Sequence, residues 1–293
     1  MMERNGQGVP EKRRVMVLGN CVAERLQFLL AGYPGFGASC SIVPAPMIHT
    51  LTSPEQWDIL AEEARACDII FSQPLFSFGP CNTGELRESL GGEQRLVLFS
   101  SPDFEAYFPD AIVLREKTKL RFKPTLDWDS SIIFSCFVRG VSIFDVEDIY
   151  LNHSMFQAKA THERTASSLE AYTRREQNLD ISTLPFVIRN YSAIKLLHSP
   201  RHPIDSFLLM MLRDMAAELG LARDAEAPEV DGFGFNQWPV ITRHHNRFSF
   251  PEQAYFMLAG KQCSLEDVAM AYYNFYEFHP HVVEANKDKL IAI

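Results

Sequence analysis

The sequence of 293 residues has no closely spaced cysteine pair: Cys21, Cys40, Cys67, Cys81, Cys136 and Cys263 lie far apart. Without a CxxC element, a zinc ribbon or a thioredoxin-like redox centre is excluded, and the six are expected as free thiols in a reducing compartment. The cytoplasm is therefore the expected location. No apolar run approaches the ~20 residues that span a bilayer, and the polar start "MMERNGQGVPEKRR" followed by the short burst "VMVLG" does not form a signal-peptide core. No transmembrane segment is expected. Positive charge is scarce as well, with 28 Lys and Arg against 37 Asp and Glu and a net charge of -9. Neutralising a phosphate backbone needs a basic surface, so no nucleic-acid partner is expected. The patterns GxxxxGK[ST], GxGxxG and HExxH are also missing, which argues against ATPase, dinucleotide and zincin chemistry. No metal is expected, and no internal repeat or low-complexity tract is found.

What is present is ample core-forming material, 46% of the chain, in an ordered pattern. "RVMVLG" reads as a buried strand and runs into an amphipathic helix from about Val22 to Ala31, which Gly32 and Pro34 end. "SCSIVP", "DIIFSQ" and "RLVLFSS" read as further strands, with a helix opening at Pro54 and a short one near Glu85. Strand and helix in alternation predict an α/β fold with a parallel, doubly wound sheet in the N-terminal half. After about residue 125 most segments read as helical: "VEDIYLNHSMFQAKA", "ERTASSLEAYTRREQNL", "PIDSFLLMMLRDMAAELG" and "SLEDVAMAYYNFYEF". The expected organisation is a flexible N-terminus over 1–13, a sheet region over 14–125 and a mainly helical region over 126–293 packed on it, in one integrated domain. "LARDAEAPEVDGFGFNQWP" is the expected long loop.

Ligands of open parallel sheets bind beyond the carboxyl ends of the strands, and here those ends carry Gly19-Asn20-Cys21, Ser72-Gln73 and Ser100-Ser101. Cys21 falls in the first turn of a helix, where unpaired N–H groups and the helix dipole favour a thiolate. The same N–H groups, with the amides of Asn20 or Gln73 and the hydroxyl of Ser100, are candidates for holding an oxyanion or substrate. Packing of a small residue is the competing reading of Cys21. Pro203 suits the first position of the helix that follows, which places His202 near its N-cap as a neutral imidazole able to act as a base. His198 is its rival, and simple capping the alternative. His153 and Ser154 sit side by side on a predicted helix, where neighbours do not face each other. Basic residues gather at Arg115, Lys117, Lys119, Arg121 and Lys123 and again from Arg243 to Arg247, as candidate phosphate contacts or as solvated faces.

"VMVLGNCVAERLQFLL", "YLNHSMFQ", "LEAYTRREQNLDIS" and "RHPIDSFLLMMLRDMAAELGL" together resemble the WcbI family of capsular polysaccharide biosynthesis proteins, over about Arg13 to Leu221. The opening is also similar to a distant variant of the SGNH hydrolases, with Cys21 in place of the nucleophilic serine and His202 in place of the base. Arg201 stands where the WcbI family often has Asn, Val22 where Gln is common, and Ser199 where the SGNH pattern has Asp. The resemblance implies an acetyltransferase that binds coenzyme A and moves an acetyl group from acetyl-CoA to a sugar hydroxyl of a polysaccharide. Cys21, His202, His153 and Ser154 would then be catalytic, and Asn20, Gln73 and Ser100 would face the oxyanion or substrate. Gly19, Arg115, Lys117, Arg243 and Arg247 would contact the coenzyme. A carbohydrate esterase and a non-catalytic coenzyme A- or glycan-binding protein are the alternatives.

Overall fold

In the computed structural model, which describes residues 11–117, 128–230 and 233–293, the N-terminal part alternates as the periodicity predicts. Strand β1 (Arg13–Leu18) leads into α1 (Cys21–Ala31); after the short α2 (Phe36–Ser39) come β2 (Cys40–Ile42), α3 (Pro54–Arg65), β3 (Ile69–Ser72), α4 (Thr83–Ser89) and β4 (Arg95–Leu98). The four strands form one sheet in the order β2-β1-β3-β4, and every pairing is parallel. Alternation along β1 and β3 sends Met16, Leu18 and Ile70 into a cluster with Leu60, Ala61 and Ala64 of α3 and Leu86 of α4. Val15, Val17, Ile69 and Phe71 are buried too, and alternation gives them to the opposite face. Each such side chain contributes ~1.5–3 kcal/mol by leaving water. Helix α3 is set by a capping box of Ser53 and Gln56 with a Pro at its start.

The chain continues through β5 (Ala111–Ile112), β6 (Asp129–Ser130), α5 (Ser131–Val138), α6 (Ile143–Asn152), α7 (Ala158–Glu176), α8 (Leu184–Asn190), β7 (Leu197–Ser199), β8 (His202–Pro203) and α9 (Asp205–Glu218). It ends with β9 (Phe256–Leu258), β10 (Lys261–Cys263), α10 (Leu265–Phe278) and α11 (Pro280–Ala285). This is the mainly helical C-terminal half that the pattern predicts. Among the described residues, no helix is long and apolar enough to cross a membrane.

Two compact units interleave along the sequence. The sheet unit comprises Met1–Ser101, Arg175–Thr183 and Asp205–Val230; the second comprises Pro102–Arg174, Leu184–Ile204 and Asp231–Ile293. The sheet unit thus takes up α9, which packs on α1, and the stretch after α7, whose Ile181 bridges Phe99 in parallel. In the second unit, a core of aromatic rings includes Phe134, Phe137, Tyr273 and Tyr276 in edge and tilted contacts 5.2–5.3 Å apart.

Two local expectations are corrected, and a third falls mostly outside the described residues. Residues 1–10 of the expected flexible N-terminus lie outside the described residues, and β1 already begins at Arg13. The helix read through "LNHSMF" breaks at His153, whose backbone is extended at φ -61 and ψ 141. Its ring Nδ1 accepts the N–H of Met155 at 3.2 Å, a local cap that competes with the helix. Pro203 does not open a helix: His202 and Pro203 form β8, and α9 starts at Asp205.

Candidate functional site

In the order β2-β1-β3-β4 the chain winds to one side from β1 and to the other from β3, so the crevice of the sheet opens between their carboxyl ends. Gly19-Asn20-Cys21 follows β1 and Gln73 follows β3, and the two turns are joined there. The N–H of Asn20 donates to Gln73 Oε1 at 2.9 Å. Gly19 makes this approach possible: at φ 154, a Cβ on it would collide with Gln73 Oε1 and come within 2.8 Å of Ala23 Cβ. Its role is therefore steric. Asn20 is the N-cap of α1, its Oδ1 accepting from Val22 N at 2.9 Å, while its Nδ2 reaches Ser101 Oγ at 3.4 Å. Cys21 is the first residue of the helix and partly exposed.

Gln73 itself is 3% exposed. The hydrogen bond from Asn20 fixes which end of the amide is oxygen, so the other end is Nε2, and this buried donor has no partner among the described residues. Leaving such a donor unpaired costs ~1–3 kcal/mol, so it would gain from an acceptor brought within its reach. Ser100 is not available for that task. Fully buried, it donates to Glu176 at 2.5 Å and accepts from Thr183 Oγ1 at 2.9 Å. Glu176 also accepts from Thr183 N at 2.6 Å and Ser182 Oγ at 2.9 Å. This network binds the stretch after α7 to the sheet unit; the hydroxyl next to the turn belongs to Ser101.

In the second unit, β7 and β8 form a tight hairpin, Ser199 opposite His202. Pro200 and then Arg201 at φ 67 make its turn. A left-handed residue after Pro is the pattern of a type II turn, where Asn fits better than Arg, and Asn is what the WcbI pattern often has there. Ser199 Oγ lies 2.7 Å from His202 Nδ1, and the imidazole stacks on Phe233 at 4.6 Å with an interplanar angle of 11°. Ser199 and Phe233 therefore fix the orientation of the ring. His198 is a poor base: burial, helped by Lys195 and His202, pushes its imidazole down to about 4.

That shift has a measurable consequence. Between the unfolded value near 6.5 and the folded value of about 4, the unfolded chain takes up a proton that the folded one refuses. Stability therefore falls as pH drops through this window, by at most ~1.4 kcal/mol per pH unit. His198→Gln is expected to flatten this slope, read as the difference between wild-type and variant urea midpoints from pH 4.5 to 7. Equal slopes would place the titration elsewhere.

His153 is buried and its Nε2 lies 2.7 Å from the carbonyl of Ala292, so both ring nitrogens serve the fold of its unit. Ser154 opens a short 3-10 turn and is exposed. The expected coenzyme contacts divide sharply. Lys117 is 2% exposed and paired with fully buried Asp129 at 2.7 Å, beneath the rings of Tyr272 and Phe275; it cannot meet a phosphate. Arg115 pairs with Asp288 and Arg243 with Glu252, so each charge is already balanced. Arg247 differs, its guanidinium lying 5.6 Å from the Tyr191 ring centre and its buried Nε having no partner among the described residues. Lys119, Arg121 and Lys123 lie outside the described residues.

A thiol at a helix start and a buried amide whose Nε2 has no partner among the described residues, both at the crevice of a parallel sheet, put polar groups on the strand-end turns of an α/β protein. The family model described as the polysaccharide biosynthesis enzyme WcbI matches residues 14–224, and the chain belongs to that family. A search of curated proteins returns no match. One solved structure is described as WcbI, a polysaccharide biosynthesis enzyme, in its native form without a disulfide bond between coenzyme A and a cysteine. It resembles this chain with a TM-score of 0.77 at 18% identity, over 94% of this chain and 93% of that one. That likeness is one of fold.

Proposed function

We propose that the chain is an acetyltransferase, moving an acetyl group from acetyl-CoA to a sugar hydroxyl in capsular or exopolysaccharide biosynthesis. The observation that carries this reading is the unpartnered Nε2 of Gln73 beside the first turn of α1. A thioester oxygen that gains charge during acyl transfer is the acceptor such a donor lacks, and the dipole of α1 adds to its stabilisation. Family membership supplies the polysaccharide. The solved relative's description, which names coenzyme A together with a cysteine, supports the donor.

In this reading His202, oriented by Ser199, takes the proton of the sugar hydroxyl. The alkoxide oxygen attacks the thioester carbon, the carbon–sulfur bond breaks, and the coenzyme A thiolate leaves with the proton from the imidazolium. In a covalent form of the reaction, Cys21 Sγ attacks the thioester carbon first and expels coenzyme A as its thiol, and the sugar oxygen then attacks the acetyl carbon and displaces the Cys21 thiolate, which regains the proton. Of the basic residues, Arg247 remains for a coenzyme phosphate.

The test begins with thermal shift. Coenzyme A and acetyl-CoA are expected to raise the melting temperature by mass action, and no response to either would remove the transferase reading. Intact mass after brief exposure to acetyl-CoA without a sugar then separates the two forms. One added acetyl group, absent in Cys21→Ala, marks the covalent form, and unchanged mass the direct one.

A further inference from the structure

A cavity of about 210 Å³ lies within the second unit, next to the β7–β8 hairpin. Its wall is built from residues far apart in the sequence: Asp103, Phe104, Glu105, Trp128, Arg164 and Arg201. The volume is smaller than the ~300–1,000 Å³ of sites for drug-sized ligands, which suits a single ring. The charges are balanced, two carboxylates against two guanidinium groups, so the cavity offers no net attraction to a phosphate. What it offers is acceptors and donors together. A sugar hydroxyl is both donor and acceptor; neighbouring hydroxyls can accept from the two arms of a guanidinium fork and donate to a carboxylate.

The individual groups fit this use. Arg201 Nε donates to Asp103 at 3.1 Å, and its guanidinium lies 5.3 Å from the centre of the Trp128 ring, so its direction is set from two sides. Arg164 donates one Nη1 bond to the carbonyl of Met155 at 3.2 Å, and burial pushes its pKa down against the pull of Asp110 and Glu105. A cation short of water gains from any oxygen lone pair brought to it. Half-buried Trp128 supplies apolar surface for the C–H face of a sugar ring, with buried Phe104 behind the wall.

We infer that this cavity binds a neutral pyranose, the acceptor of the proposed transfer. As an acceptor site it rests on the transferase reading; as a sugar site it rests on the cavity alone. Its position in the chain fits the role, because Arg201 in the wall immediately precedes His202, and the tight hairpin couples the placing of one to the other.

The test is saturation-transfer NMR on the full chain with the methyl glycosides of glucose, galactose, mannose and rhamnose, each at millimolar concentration. At least one is expected to bind, with affinity at least tenfold weaker in Arg164→Lys, which keeps the charge and loses the fork, and in Trp128→Leu. Inorganic phosphate at equal concentration is expected not to displace it. Circular dichroism melts confirm that both variants are folded, and Glu105→Gln serves as a third variant if either is not. No binding by any of the four, unchanged binding in the folded variants, or displacement by phosphate would each overturn the inference. Thermal shift with coenzyme A on the same samples keeps the two readings apart. Sugar binding without a coenzyme response leaves this site standing and removes the transferase, while a coenzyme response without sugar binding does the reverse.

Discussion

Replacing Gln73 by glutamate is expected to lower the rate of the proposed acetyl transfer by ~10²–10³-fold, the range seen when one oxyanion donor is lost. Gln73→Glu is informative because it spares the turn. One carboxyl oxygen still accepts the N–H of Asn20, as Oε1 does now at 2.9 Å, while the donor Nε2 is replaced by a second oxygen. Burial raises the pKa of such a carboxyl. The protonated fraction can still donate a hydrogen bond, so the loss deepens as pH rises and the group ionises. Steady-state kinetics from pH 6 to 9 reads both effects, and a rate within threefold of wild type across that range would remove Gln73 from the mechanism. Gly19→Ala tests the same contact from the opposite side. The added methyl displaces the Gln73 amide, and the rate is expected to fall with it.

Lys117→Met is expected to destabilise the protein by ~3–5 kcal/mol, since it leaves a buried carboxylate without its cation. Asp129 is fully buried, and on its other carboxylate oxygen Tyr276 donates a neutral hydroxyl at 3.1 Å. Adding Asp129→Asn removes the orphaned charge and keeps an acceptor for Tyr276, so the double variant is expected to regain most of the loss. Urea unfolding measures both. A single variant within 1 kcal/mol of wild type would show that the ion pair contributes little to stability. Either outcome leaves Lys117 too deeply placed for a ligand phosphate.

The contrast between these two residues explains what could be read from the chain. The turn after β1 was legible because strand, glycine, cap and helix are consecutive, and local periodicity reports them. That Gln73 touches this turn was only half legible. Strand ends could be found, but strand order depends on crossovers with the same local pattern whichever side they take. Lys117 was read as surface charge because its partner Asp129 has no helical spacing to reveal the pair. At His202 a sound local rule, Pro at the first turn of a helix, lost to the hairpin that pairs Ser199 with it. The sugar cavity left no sequence signal, since its wall is assembled from separate segments. Arg201 departs from the family pattern, and its left-handed backbone gives that departure a physical meaning.

The interleaving of the two units bears on how the protein is made. The sheet unit needs the stretch after α7 and the helix α9, so it cannot be completed when its last strand, β4, leaves the ribosome. Its parts are in hand only once Val230 has been added, a wait of roughly 6–26 s from Ser101 at ~5–20 residues per second. During that interval the outer side of β4 is without the Asp180 and Ile181 amides that later bond to Leu98. A bare strand edge is a template for pairing with other chains. The nascent sheet is therefore the stage at which a chaperone has most to protect, and no single cut in the gene separates one unit from the other.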